Sequence, residues 1–149
     1  DPWSLILDPW SLILDPWPLN PEPATNANLR TVDELSSIWL ENTGNLQFKK
    51  HYLPAKSQLS AMHAIATIDA KNPTYLMAGN FLDNNVEMGF YDADYGHVLS
   101  FGADTATTMP LNGVIFKGQV RRIVPMNIGG EKAFLIGTND GAVRVIKMK

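Results

Sequence analysis

The chain contains no cysteine, which excludes disulfides, thiolate metal sites and cysteine nucleophiles. It has no surplus of basic residues either. The formal net charge of -3 leaves it without the basic face that announces a nucleic-acid partner, so none is expected. No run approaches the roughly 18 uninterrupted apolar residues of a spanning helix, so no membrane span is expected, and no stretch has the apolar spacing of a convincing amphipathic helix. Motifs of chemistry are scarce as well. His51, His63 and His97 lack metal-ligand spacing and are expected in structural roles. Ser36, Ser37, Ser57, Ser60 and Ser100 lack a nucleophile elbow. Gly129-Gly130 falls at a hairpin turn, where no phosphate loop forms.

What is present is a chain of 149 residues, 45% apolar and 18% charged, the composition of an ordinary globular domain. It opens at Asp1 without a methionine, a basic n-region or a small-residue cleavage site, which fits either a removed leader or a piece of something longer. The first residues repeat as heptads, Asp1 to Leu7, Asp8 to Leu14 and then Asp15-Pro16-Trp17. Proline in every unit would cost a helix about 3 kcal/mol each time, so the coiled-coil reading fails and short extended segments at edges or turns are expected. Asp-Pro-Trp also resembles the linear motifs that engage endocytic adaptor appendages, where copies add avidity. The same repetition would follow from a recent duplication. Residues 1–30 thus read as a repetitive segment and a proline-rich linker, and residues 31–149 as the folded part.

From residue 36 onward the pattern is strands and turns. Ser36 to Glu41 and Leu46 to Leu53 make a hairpin about Asn42-Thr43-Gly44-Asn45, ended by Pro54. His63 to Ile68 and Tyr75 to Gly79 flank a tight turn, Asp69 to Pro73. A long loop, Asn80 to Gly96, leads to the strand Val98 to Phe101 and a polar connection, Gly102 to Asn112. Gln119 to Met126 and Ala133 to Thr138 form a third unit. There Asn139-Asp140-Gly141 predicts a type I′ turn into a last strand, Ala142 to Lys147. The second and third units align at an offset of about 58 residues, each with an apolar strand, a turn, a second apolar strand and Gly-Asn or Gly-Thr-Asn. That is the logic of a propeller blade with a loop insertion.

At Leu53-Pro54, Ala64-Ile65-Ala66, Leu76-Met77-Ala78-Gly79-Asn80, Tyr91-Asp92-Ala93-Asp94-Tyr95-Gly96 and Gly118-Gln119-Val120-Arg121 the chain resembles the C-terminal end of bacterial FG-GAP/VCBS repeat β-propellers, relatives of the integrin α-subunit type. The resemblance spans about residues 36–149. It implies an all-β fold of antiparallel blade-type sheets, an incomplete β-propeller of about two and a half blades, with a small β-sandwich as the alternative. It also implies an extracytoplasmic, periplasmic or cell-surface location. Blades of that family commonly carry a calcium loop between their first two strands, yet here only Asp69 remains of it and Lys71 puts a cation among the ligands. No calcium, and no other cofactor, is expected in this chain; calcium belongs to sister blades if anywhere.

The candidate ligand-binding residues are Asp83, Glu87, Tyr91, Asp92, Asp94, Tyr95 and Arg121. The carboxylates either make a weak divalent-cation or ligand site on a long loop, or cap turns by Asx-type bonds while Tyr91 and Tyr95 pack the loop down. Arg121 and Arg122, adjacent on a strand, should point to opposite faces, one of them toward a carboxylate such as Asp92. Trp39, Phe48, Tyr75, Phe101, Phe116 and Phe134 are expected between blades. Too few blades to close a ring leave open edges, so the partners expected are the remaining blades or other chains, together with a protein or glycan ligand. The function expected is non-catalytic binding or scaffolding through the loops, with the loop from Asn80 to Gly96 exposed and the Ile65 and Ile123 strands buried. The alternatives are a channel enzyme with Asp92 or Asp94 as acid or base near His97, and an adaptor-type protein acting through its tryptophans.

Overall fold

The computed structural model describes residues 33–87 and 89–147. The Asp-Pro-Trp repeat and its linker lie outside these residues, and with them the adaptor reading. The chain divides into two units, Asp1–Glu34 and Leu35–Lys149, and all the secondary structure described is in the second.

That unit is all-β and antiparallel. In chain order it has β1 (Ile38–Gly44), β2 (Gln47–Tyr52), a 3-10 turn (Ala55–Gln58), β3 (Met62–Asp69), β4 (Thr74–Gly79), β5 (His97–Phe101), β6 (Ala106–Pro110), β7 (Val120–Ile128), β8 (Glu131–Thr138) and β9 (Arg144–Lys147). They form three sheets in simple up-and-down order: β1-β2, β3-β4-β5-β6 and β7-β8-β9. The sheets stack through side chains of matched size. Ala64, Ala66, Leu76 and Ala78 of the second sheet meet Val120, Ile123, Phe134 and Ile136 of the third, with Phe116 from the connection between them. Three alanines opposite two phenylalanines let the sheets approach closely, as dense interiors require. On the other face of the second sheet, Phe101 lies edge-on to both Trp39 of β1 and Tyr75 of β4. With neighbours on both faces, β4 is buried continuously from Leu76 to Gly79, unlike a half-exposed strand.

The expected period is present in the backbone. In the second sheet Met62 pairs with Gly79 and Ala64 with Ala78, leaving His63 as the extra residue of a bulge. In the third, Val120 pairs with Thr138 and Arg122 with Gly137, leaving Arg121. The two bulges stand 58 residues apart. One further bond recurs with them: Asn80 N–H donates to the Ala61 carbonyl, and Asn139 N–H donates to that of Gln119.

Several expectations need correction. The polar connection from Gly102 to Asn112 contains β6, which pairs with β5 along its length. Its Ala-Thr-Thr-Met-Pro sequence has too little apolar alternation to signal a strand, yet Thr suits a sheet edge and Pro110 at its end removes no needed donor. The Asn139-Asp140-Gly141 turn is not type I′, since of these residues only Asp140 has a positive φ. The strand resumes at Arg144 opposite Ile136, so Ala142 and Val143 belong to the loop. Ile123 is buried, but Ile65 is 56% exposed because Ala64 and Ala66 take the core face of β3. Phe48 is exposed rather than packed between sheets.

Candidate functional site

The long loop from Asn80 to Gly96 is held at its neck by a buried polar network. Asn80 is 2% exposed and sits at φ 80, a conformation costly for most residues and tolerated best by Asn and Asp. Its amide justifies the position: Nδ2 donates to the carbonyls of Asp94 (2.7 Å) and Gly118 (3.2 Å), and Oδ1 accepts the Asp94 N–H (3.0 Å). Asp94, 1% exposed, accepts the Gly79 N–H on Oδ2 at 3.2 Å and lies 3.1 Å from His97 Nδ1 through Oδ1. His97 Nε2 is 2.8 Å from the hydroxyl of Ser57 on the 3-10 turn.

Two glycines make these approaches possible. A Cβ at Gly79 would lie 1.8 Å from the Ala61 carbonyl oxygen, and one at Gly96 would lie 2.4 Å from the Phe116 ring. Gly79 and Gly96 therefore bracket the neck, where backbone and ring pass closer than any side chain allows.

Ser57, His97 and Asp94 are the residue types of a nucleophilic triad, in the order hydroxyl, imidazole, carboxylate. The carboxylate only accepts, so Nδ1 carries the hydrogen of that bond. All three are sealed, with Ser57 and His97 at 0% exposure. As placed, the hydroxyl has no access to a substrate carbonyl, and the network ties the 3-10 turn, the loop neck and β5 together. Sequence reasoning missed it, because Ser57 and His97 are 40 residues apart and no local spacing announces their meeting. Asp94-Tyr95-Gly96-His97 was the one local signal. The proximity of Asp94 and His97 expected of a channel enzyme is present, but inside the core.

The other candidates scatter. Asp92 is exposed and borders a cavity of about 260 Å³ with Asn80, Leu82, Tyr95, Lys117 and Gly118. Tyr91 exchanges backbone bonds with Phe81, its carbonyl also accepting from Ser60 Oγ, and Lys56 lies 5.7 Å from the Tyr95 ring centre. Glu87 is exposed, its backbone N–H capped by the Asn85 side chain. Arg121 faces Asp83 at 3.9 Å rather than Asp92. Among the described residues no group of three or more His, Asp or Glu could hold a metal ion. Asp69 Oδ1 accepts the Lys71 N–H and Oδ2 accepts from Asn72 Nδ2, so this carboxylate caps its own turn.

Arg121 and Arg122 do not point to opposite faces. The bulge interrupts alternation, so Val120 and Ile123 are buried while both arginines lie outward, as an extra residue dictates. Arg121 joins His63, Arg122, Ile65 and Val124 in an open cleft of about 320 Å³ between β3 and β7. His63 is held below the usual histidine pKa, first by partial burial and then by the nearby Arg121 charge.

Comparison of the chain with family models, curated proteins and solved structures finds no match.

Proposed function

We propose that this chain is a non-catalytic binding or scaffolding module, the terminal part of an extracytoplasmic FG-GAP/VCBS-like propeller that contacts a protein or glycan through its loops. The observation that carries the reading is the loop from Asn80 to Gly96. Its neck is clamped by buried hydrogen bonds, while beyond the clamp Val86 is 96% and Phe90 71% exposed, with Tyr91 and Tyr95 about half exposed. A rigid base under exposed apolar and aromatic side chains limits the ordering cost of binding. The recurrence of strand pair and bulge at 58 residues supports blades, and any calcium would belong to sister blades. The remaining blades, from this or another chain, are the first partners.

One observation favours an enzyme instead, the Ser57–His97–Asp94 chain itself. A fluorophosphonate probe separates the two readings. Native protein is expected to remain unlabelled at Ser57, and stoichiometric labelling there would end the non-catalytic proposal. Peptide and glycan arrays then test the loop: a ligand of the parent protein should be lost by a Val86→Ser, Phe90→Ser variant with unchanged thermal unfolding. Undiminished binding would move the contact elsewhere.

A further inference from the structure

The two equivalent bulges have a joint effect on charge. Each expels one residue from the ladder, and those residues, His63 and Arg121, converge on the cleft between β3 and β7. Both rings or planes lie near Phe81, the His63 ring centre at 6.4 Å from that of Phe81 and the Arg121 guanidinium at 5.9 Å from it. Arg122 borders the same cleft. Among the described residues the carboxylate paired with Arg121 is that of Asp83, 3.9 Å away and largely exposed, beyond hydrogen-bond distance. Among the described residues neither guanidinium group donates a hydrogen bond to the protein. Two guanidinium groups and an imidazole gathered by the backbone, with Asp83 as a long and exposed ion pair to Arg121, form a site whose electrostatics improve when an anion enters.

The walls narrow the choice of anion. Ile65 is 56% and Val124 38% exposed beside the charged groups, an aliphatic lining suited to aliphatic side chains. Among the described residues β3 and β7 are each the end strand of their sheet, the position at which an extended chain can add as a further strand. We propose that this cleft binds an acidic peptide in extended form, its carboxylate between Arg121 and His63 and its apolar neighbours on Ile65 and Val124. The site is separate from the exposed apolar part of the loop and does not depend on that part binding anything.

The test is an NMR titration of the full chain with acetyl-Val-Asp-Val-amide, against acetyl-Val-Asn-Val-amide and glucuronate. The aspartyl peptide is expected to shift the His63 ring signals and raise their titration midpoint, leaving those of His97 in place. The asparaginyl peptide should bind about tenfold more weakly or worse, the scale of losing a charge-assisted hydrogen-bonded pair. Arg121→Gln should weaken the aspartyl peptide by a similar factor, and Arg121→Lys, which keeps the charge, by less. Equal binding of the two peptides, undiminished binding by folded Arg121→Gln, or a His63 response to glucuronate alone would overturn the proposal. Loss of array binding by the Val86, Phe90 variant would leave this titration unchanged.

Discussion

Asp69 shows at the scale of one residue how a side chain suggestive of metal binding is used by local structure. Its oxygens accept from the Lys71 backbone and the Asn72 side chain, and these bonds, the Asn72 one foremost, hold its pKa below the ordinary aspartate range. A depressed carboxylate pKa contributes stability that is present above the unfolded value and lost as pH falls through the folded one. A carboxyl-carbon NMR titration should therefore find Asp69 among the low-titrating aspartates and find it moved upward by Asn72→Ala. Added calcium should not change it, since among the described residues Asp69 belongs to no group of three or more His, Asp or Glu that could hold an ion. His63 runs with the same sign, its folded pKa also being lowered. It is without cost in the neutral form, and as pH falls below the ordinary histidine range its charging opposes folding unless an anion accompanies it.

At the scale of elements, the β1–β2 hairpin contains a visible conflict between sequence and backbone. Gly44 pairs with Gln47, and the two residues between, Asn45 and Leu46, have φ of 52 and 60. Asn tolerates that region, whereas a branched side chain loses about 1–2 kcal/mol there. Leu46 is 92% exposed and gains nothing in return. Leu46→Gly should raise stability by about 0.5–1 kcal/mol, seen as a higher urea midpoint at unchanged slope. A lower midpoint would show that the turn is not as described.

Most elements were legible in the sequence because apolar runs bounded by Gly, Asn, Asp and Pro carry strand and turn signals directly. Recurrence of Leu-Met-Ala-Gly-Asn as Leu-Ile-Gly-Thr-Asn, 59 residues on, likewise signals the period to within a residue. β6 was not legible, because an edge strand of Thr, Met and Pro has little burial to impose a pattern. The Arg121–Arg122 face was misread, since alternation presumes a regular ladder and a bulge leaves no mark in composition. The candidate residues fared according to distance along the chain. Asp94 and His97 are neighbours and could be associated, while Ser57, Asn80 and Gly118 reach the same network only through tertiary packing.

For the whole molecule, the ends of the sheets matter most. The β7-β8-β9 sheet ends at β9, whereas the neighbouring sheet has β6 in the corresponding fourth place. On β9 and just before it, Val145 and Val143 are exposed, and among the described residues β9 is the end of its sheet, an apolar edge of the kind that invites pairing. Light scattering of the isolated chain is therefore expected to give a mass above that of one 16.5 kDa chain, rising with concentration. A stable, well-dispersed monomer would favour a self-contained sandwich over an unfinished ring.

The clamp at the loop neck has a consequence for change over time. Asn80 and Asp94 hold each other directly, so the segment between them is closed at its base whatever its length. For a flexible insert the added closure entropy is then only about 0.6 kcal/mol for each doubling. The stretch around Val86 is where this molecule can gain or lose residues with its stacked sheets undisturbed.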